Sequence, residues 1–599
     1  MLNSHGLKGE HHLWFKAMWG SAQTPQSILK SVFGYDQFRG HQAEVIDAVV
    51  SGQSAAVIMP TGAGKSLCYQ IPALLRQGTA IVISPLIALM DDQVAAAHAV
   101  GIKAAALNSA MPYDAQIAAE EALRSGALDL LFVAPERANL PGFHRLLMAS
   151  DVALFAIDEA HCVSEWGHDF RPDYRQLGQL CDAFPGVPRI ALTATADERT
   201  RADILEQLAI PNDQLFVSGF DRENIFYDVA LKTSPMSQLK TFLRGQEQGS
   251  TGIIYCQTRN KTEEVAASLA RDGYDAIAYH AGLEASDRTQ RQARFLREDG
   301  LIMVATVAFG MGINKPDVRY VVHMGLPKSI EAYYQETGRA GRDGLPAQAL
   351  LLWGAQDIVQ ARWFIQNSDA PDAQKAVDLS RLQTLIDYCE TLECRRVPLL
   401  RYFGDPYEGP CKNCSTCLSP PEQEDVTEAM RMLLSAVYRT GQSFGLHYVV
   451  DVLRGSDQDK IRKFGHDALS VFGIGKELAK SDWLDLGKLA QTKGYLQEGE
   501  HRAQHLTAAA RPVLKGEEQV FQRKERARKA AKASKRRASI DLPPEAQTLF
   551  EELRAWRTQQ AKAQGVPAYV IFPDATLEAI ALHRPQSEEE LLEINGVGC

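Results

Sequence analysis

The sequence predicts an α/β protein organised around two tandem parallel-sheet domains, and three observations predict it. Short β-rich runs alternate with helical stretches from about residue 50 to about residue 350. The runs are continuously apolar instead of alternating apolar with polar, which is how strands covered on both faces read. The alternation breaks once, near Ser218–Asn224, and then resumes. In order, the first block offers strands at Ala56–Met59, Ile81–Ser84, Leu130–Ala134, Leu154–Ile157 and Arg189–Leu192. The second offers Gly252–Tyr255, Leu301–Ala305, Tyr320–His323 and Ala349–Trp353. A chain of 599 residues is too long for one hydrophobic core, so further domains are expected.

They begin after Trp353, where the pattern turns helical and reaches a cysteine cluster. Ser419-Pro420-Pro421-Glu422 reads as a linker, and residues from about 425 to 515 read as helices closing in a turn-rich segment at Gly494-Tyr495 and Glu498–Glu500. Between Arg523 and Arg537 stand nine Lys or Arg and one acid, Glu525, a run that suits phosphate contacts and equally a solvated helical linker. Asp541-Leu542-Pro543-Pro544 opens a last helical piece. The predicted divisions are an N-terminal extension at 1–24, sheet domains at 25–218 and 219–355, a helical cysteine-bearing subdomain at 356–420, a further domain at 421–516, a basic linker at 517–541 and a final domain at 542–599.

Composition is that of a globular protein, 45% hydrophobic and 23% charged. No apolar run approaches the roughly 20 residues of a membrane span, and Leu13, Trp14 and Phe15 do not make a signal peptide. A cytoplasmic protein with no membrane partner is expected. The residues before Thr24 show no pattern, and Met18 is an alternative start. The net charge of −10 argues weakly against a nucleic-acid partner, but the charge of the face presented decides such contacts.

Met59-Pro60-Thr61-Gly62-Ala63-Gly64-Lys65-Ser66 reads as a phosphate-cradling loop, although Met59 stands where the strict pattern has glycine. An apolar strand precedes it, Gly62 and Gly64 occupy the turn, and helix-forming Leu67–Leu75 follows, so backbone N–H groups at the helix start can hold phosphate beside Thr61. Lys65 would reach the β and γ phosphates of ATP and Ser66 would ligate Mg²⁺. At the end of another apolar strand, Asp158 and Glu159 supply two carboxylates: Asp158 for the magnesium, Glu159 for the attacking water. Gln335-Glu336-Thr337-Gly338-Arg339-Ala340-Gly341-Arg342, in the second block, offers Gln335 as a nucleotide contact and two arginines three apart that can stabilise phosphoryl-transfer charge from across a cleft. The bland counterparts are a Gly-rich turn, chance acids at a strand end and surface arginines.

Cys394-x16-Cys411-x2-Cys414-x2-Cys417 supplies four thiolates at spacings that fit one tetrahedral, structural Zn²⁺. Cys68, Cys162, Cys181, Cys256 and Cys389 are scattered among apolar or helical residues and read as buried thiols of a reducing compartment.

Taken together these residues resemble the superfamily-two helicases, and specifically the RecQ DNA helicases, from about Phe33 to the carboxyl end. Phe33-Gly34-Tyr35-Asp36-Gln37-Phe38-Arg39-Gly40-His41-Gln42 resembles the family's adenine segment, with Gly40-His41 in place of the commoner Pro-Gly. The resemblance implies that Tyr35 stacks on the base, Arg39 supports it and Gln42 hydrogen-bonds its edge. Cys162–Pro172 resembles the aromatic-rich loop peculiar to the family. By that likeness Trp166 and Phe170 stack on bases, Arg171 takes a phosphate, and His161 and His168 belong to the DNA-coupling segment. Leu192-Thr193-Ala194-Thr195 resembles the coupling motif, so Thr193 and Thr195 join that set. Ser84–Asp91, Pro135-Glu136-Arg137, Tyr255–Arg259, Tyr279–Leu283 and Ala305–Gly312 resemble further strand-contacting motifs.

What the resemblance implies for the whole is two RecA-like domains, a zinc-binding subdomain, a winged helix matched at Tyr448–Gly455 and Ile461–His466, and an HRDC domain from Leu542 that is partial because the chain stops at Cys599. Loose packing is expected there. The implied activity is ATP-dependent, 3′-to-5′ unwinding, with single-stranded and forked double-stranded DNA as substrates and with single-strand-binding and recombination proteins as partners. Three alternatives compete: an RNA helicase, a DNA scaffold switched by ATP, and a translocase that never parts strands.

Overall fold

The computed structural model describes residues 23–85, 87–109, 111–165, 170–310, 313, 315–499, 502–524, 542–564 and 566–597. Trp166, His168, Met311, Gly312, the basic run beyond Lys524 and the extension up to residue 22 lie outside the described residues.

The first domain is a seven-stranded sheet of β1 (Ala55–Ile58), β2 (Thr79–Ile83), β3 (Ala104–Leu107), β4 (Leu130–Val133), β5 (Val152–Ile157), β6 (Arg189–Thr193) and β7 (Leu215–Val217), ordered β3-β4-β2-β5-β6-β1-β7 and parallel throughout. Successive residues of a strand face opposite sides, and here both sides are buried. Val57, Val82, Leu154 and Leu192 enter one core, while Ile58, Ile81, Phe155 and Ala191 enter another. That is why the strands read as unbroken apolar runs. Each of the Val, Leu, Ile and Phe side chains contributes about 1.5–3 kcal/mol by leaving water.

The second sheet has six parallel strands, β8 (Ile225–Leu231), β9 (Thr251–Tyr255), β10 (Ala276–Tyr279), β11 (Ile302–Ala305), β12 (Val318–His323) and β13 (Ala347–Trp353), ordered β10-β11-β9-β12-β13-β8. Its β8 edge is covered by the cysteine-bearing subdomain through a bridge between Tyr227 and Cys414. Phe220, in the segment joining the sheets, stacks on Phe403 of that subdomain at 4.9 Å, and its carbonyl accepts from the Tyr334 hydroxyl at 2.7 Å. Both sheet domains and the subdomain therefore share one continuous apolar core.

Beyond it, helices Thr427–Arg439, Leu446–Leu453 and Lys480–Thr492 enclose Trp483, whose indole N–H donates to Gly475 O at 2.8 Å. A hairpin of Leu496–Glu498 and Gln504–Leu506 forms the wing. Glu422–Asp425 pairs antiparallel with Phe521–Lys524, so the first basic residues sit in a strand of this domain and not in a linker. The domain docks on the subdomain through Arg362 to Gln491 O (3.2 Å), Gln383 to Thr492 O (3.3 Å) and Lys493 with Glu390 (3.8 Å). The last domain packs helices Pro544–Gln564 and Asp574–His583 around Ala546, Phe550, Leu577 and Ala581, and Arg557 anchors it to Asp299 of the second sheet domain. No helix among the described residues is long and apolar enough to cross a membrane.

Candidate active site and metal centre

Parallel strands present all their carboxyl ends at one edge, where ligands bind. At that edge of the first sheet, neighbouring β1, β6 and β5 deliver the phosphate loop, Thr193–Thr195 and Asp158-Glu159 side by side, with Ile58 in register with Thr193. Gly62 (φ 87°) and Gly64 (φ 79°) take left-handed conformations that turn the loop into helix Leu67–Leu75 behind Ser66. Half-buried Lys65 donates to Met59 O at 3.0 Å and to Pro60 O at 3.4 Å. Burial depresses its ammonium pKa, with Glu159 and Asp158 opposing.

The adenine segment reaches this loop directly. Gln42 is buried; its Oε1 accepts from Arg39 N at 2.9 Å, and its Nε2 donates to Ala63 O at 2.9 Å and Gly64 O at 3.1 Å. Its amide thus bonds the phosphate loop, and a Cβ on Gly64 would lie 2.6 Å from Nε2. Tyr35 and Arg39 are exposed beside it.

Burial, with Glu159 adding and Lys65 opposing, pushes the Asp158 carboxyl up to about 7. A buried carboxylate and the Ser66 hydroxyl are oxygen donors of the kind a hard divalent cation takes. Glu159 holds φ 49°, a left-handed geometry that costs a non-glycine residue roughly 1–2 kcal/mol. The turn carries its carboxylate to 3.3 Å from His161 Nδ1. From there a polar chain crosses the domain. The Thr193 hydroxyl donates to Thr195 O (3.1 Å), so its lone pairs accept from His161 Nδ1–H (2.9 Å) and from Thr195 N–H (3.3 Å). Gln335 Nε2, from the second domain, donates to Thr195 Oγ1 at 2.9 Å.

The two arginines occupy different places. A Cβ on Gly62 would meet Arg342 Cγ at 3.4 Å, so Arg342 lies over the phosphate loop. Burial, reinforced by Arg339 and Arg222, pushes its guanidinium pKa down to about 9. Arg339 is buried inside the second domain, near Gly310 and Tyr255. Lys65, Arg342 and Arg222 thus crowd positive charge around one cleft, an arrangement that a polyphosphate relieves. Arg171 donates to Pro85 O at 3.1 Å, tying the aromatic-rich loop to the segment after β2, and Phe170 is half-buried. Arg222 was missed in the sequence because Asp221-Arg222-Glu223-Asn224 looks like any polar linker.

At the second centre, the sulfurs of Cys394, Cys411, Cys414 and Cys417 all lie within 4.8 Å of one another, with Cys411 and Cys417 3.9 Å apart. Tetrahedral zinc with bonds of about 2.3 Å needs sulfurs roughly 3.8 Å apart, so the cluster fits that ion. Backbone N–H groups of Cys411, Asn413 and Cys417 point at Cys394, Cys411 and Cys414 sulfurs (3.3–3.4 Å). The hydrogen bond between Cys411 and Cys414 pulls the Cys414 thiol down to about 4 and pushes the Cys411 thiol up, so without a cation the sulfurs share protons that a metal would displace.

Five known domain families match the chain in sequence: DEAD/DEAH box helicase at 39–204, helicase conserved C-terminal domain at 234–344, RecQ zinc-binding at 355–418, RQC domain at 420–531 and HRDC domain at 546–599. Among curated relatives, the chain is 46% identical to the ATP-dependent DNA helicase RecQ of Pasteurella multocida over 96% of its own length and 91% of the relative's. It is 45% identical to the protein of that name from Haemophilus influenzae (96% and 93% covered) and 40% identical to that from Bacillus subtilis (96% and 95%).

Proposed function

The chain belongs to the RecQ family of ATP-dependent DNA helicases, and from that premise we propose that its cleft drives 3′-to-5′ movement on single-stranded DNA and parts duplex at a fork. One observation carries the reading: a polar chain, starting with the Glu159 carboxylate 3.3 Å from His161 and continuing by hydrogen bonds through Thr193 and Thr195, ends on Gln335 of the other domain. Chemistry at the γ phosphate is thereby joined to the relative placement of the two domains. In this reading Tyr35 and Arg39 hold adenine, and Thr61, Gly62, Gly64 and Lys65 hold the phosphates. Glu159 orients and deprotonates water, and Arg342 meets the charge that develops on the transferred group. Arg339, buried within its own domain, adds positive charge beside Arg342. Magnesium held by Ser66 and Asp158 would neutralise charge on the β and γ phosphates.

Arg171 N–H donates to Cys162 O at 3.0 Å, next to His161, so a strand on Phe170 and Arg171 would reach the hydrolytic acid through that contact. The zinc centre is structural in this reading, because four thiolates leave no open position. The proposed setting is DNA repair and recombination, with single-strand-binding and recombination proteins sharing the substrate. The test is ATP-driven unwinding of a duplex carrying a 3′ or a 5′ overhang. Displacement from the 3′ substrate alone is expected. Equal displacement from both overturns the polarity, and hydrolysis without displacement leaves a translocase.

A further inference from the structure

Four backbone carbonyls converge on one side chain in the segment between the sheets. Arg222 Nη1 donates to Thr61 O at 2.8 Å and Gly338 O at 3.1 Å, and Nη2 donates to Ala340 O and Gly341 O, both at 2.9 Å. Thr61 lies in the phosphate loop of the first domain. Gly338, Ala340 and Gly341 form the turn that carries Arg342, directly after helix Ile330–Thr337. These three carbonyls lie past Thr337, the last helical residue, and a planar cation with five N–H groups can satisfy several of them together with Thr61 O better than any other side chain. Asn224 adds a second grip, donating to Gly341 O and Leu345 O at 2.8 Å each. Gly341, at φ 58°, admits no Cβ here, since one would lie 2.4 Å from Asn224 Nδ2.

Arg222 is itself held from behind. Fully buried Arg396 of the zinc-binding subdomain pairs with Asp221 at 2.6 Å and donates to Arg222 O (2.8 Å), Glu223 O (3.1 Å) and Ile225 O (2.8 Å). Asn413, between two of the clustered cysteines, donates to Glu223 O at 2.8 Å. The segment is therefore fastened to the subdomain on one side while its arginine fastens the two motor domains on the other.

We propose that Arg222 is a positioning residue for ATP hydrolysis: it locks the turn bearing Arg342 to Thr61 of the phosphate loop, and Arg396 sets where it stands. Arg222 touches backbone only and acts through Arg342, whose placement over the loop depends on the turn it holds. This rests on the reading of Arg342 as the group that meets the transferring phosphoryl. The four carbonyl bonds also hold two guanidinium groups near each other against their repulsion.

The experiment uses the full chain with Arg222→Ala, Arg222→Lys, Arg342→Ala and the Arg222→Ala/Arg342→Ala double variant. Steady-state hydrolysis with single-stranded DNA is measured beside binding of a fluorescent non-hydrolysable ATP analogue and trapping of fluorescent ADP with aluminium fluoride. Misplacing a reacting group by about 1 Å can cost on the order of 100-fold in rate, so Arg222→Ala should lower kcat about 10- to 100-fold. The trapped complex should weaken in proportion, while the non-hydrolysable analogue binds within about threefold of the parent, since ground-state contacts are untouched. Arg222→Lys should not rescue, because one ammonium cannot span four carbonyls. The double variant should be no slower than Arg342→Ala alone, as expected of two residues acting as one unit. Multiplying losses, or a lowered melting temperature with kcat retained, would reduce Arg222 to interdomain packing and overturn the proposal. Retained turnover in Arg342→Ala would instead sink the underlying reading of Arg342. If Arg222→Ala does not fold, Asn224→Ala, which loosens the same Gly341 carbonyl, decides by the same measurements.

Discussion

Gln335 Nε2 of the second motor domain donates to Thr195 Oγ1 of the first at 2.9 Å, across 140 residues of sequence. The acceptor is the last member of the polar chain that starts at Glu159. A net hydrogen bond is worth about 0.5–1.5 kcal/mol, so Gln335→Ala should weaken coupling by about twofold to tenfold and not abolish hydrolysis. ATP consumed per base pair unwound is expected to rise by that factor. Hydrolysis and strand displacement measured in parallel check this; an unchanged ratio would mean the bond carries no coupling.

In the proposed function Glu159 acts on water and not on DNA; its carboxylate lies 3.3 Å from His161 and acts on Lys65 of the phosphate loop. Removing a general base costs about 10²–10⁴-fold, so Glu159→Gln should lower hydrolysis by that much, and Lys65→Ala should abolish it. Affinity for single-stranded DNA, read by fluorescence anisotropy, should stay within about twofold in both. More than a tenth of the turnover remaining in Glu159→Gln would remove the assignment.

The contrast between these two predictions marks what was legible in the sequence. The phosphate loop and the acid pair are contiguous, so local chemistry displayed them. The Arg222 grip joins residues 161 positions apart through backbone carbonyls, and a carbonyl looks the same in every residue. The fold divides in the same physical way. Each strand read from an apolar run is present, and the four that escaped, β3, β7, β8 and β10, are the edge strands of the two sheets. An edge strand is covered less completely, so its residues need not be continuously apolar, and β7 is only half-buried along its length. Gln42 was expected on the adenine edge from the family resemblance alone, and its bonds to Ala63 O and Gly64 O belong to tertiary packing that no local pattern displays.

Glu390 gives the docked winged-helix domain a pH dependence. Burial, reinforced by Asp387 and opposed by Lys493, pushes its carboxyl from the ordinary 4.5 up to about 7. The folded state therefore holds the proton more tightly than the unfolded one. The stabilisation is complete below about pH 4.5 and is lost as pH rises through about 7, an effect on the order of 3 kcal/mol at most. Glu390→Gln mimics the protonated form. Calorimetry should find this variant melting above the parent near pH 8 and the two converging near pH 5. A parent that melts higher near pH 8 would show that the ion pair with Lys493 outweighs burial.

Arg557 tests how the last domain is held. Its central apolar cluster is small, four buried side chains among the described residues, yet Arg557 is 1% exposed and pairs with Asp574 of its own domain at 2.7 Å and with Asp299 of the second motor domain at 3.5 Å. Thr558 also donates to Asp299, at 3.4 Å. Breaking a buried pair from one side costs about 3–5 kcal/mol, because the remaining charge stays buried. Arg557→Ala should therefore release the domain from the motor and speed amide exchange across helices Pro544–Gln564 and Asp574–His583 together. Arg557→Met, of similar length but without charge, should do the same, since Asp574 is left equally unpaired. If exchange rises only within the last domain while the surface around Asp299 stays protected, Arg557 serves that domain's interior alone. If it rises in neither, the contact contributes nothing and the small apolar core suffices.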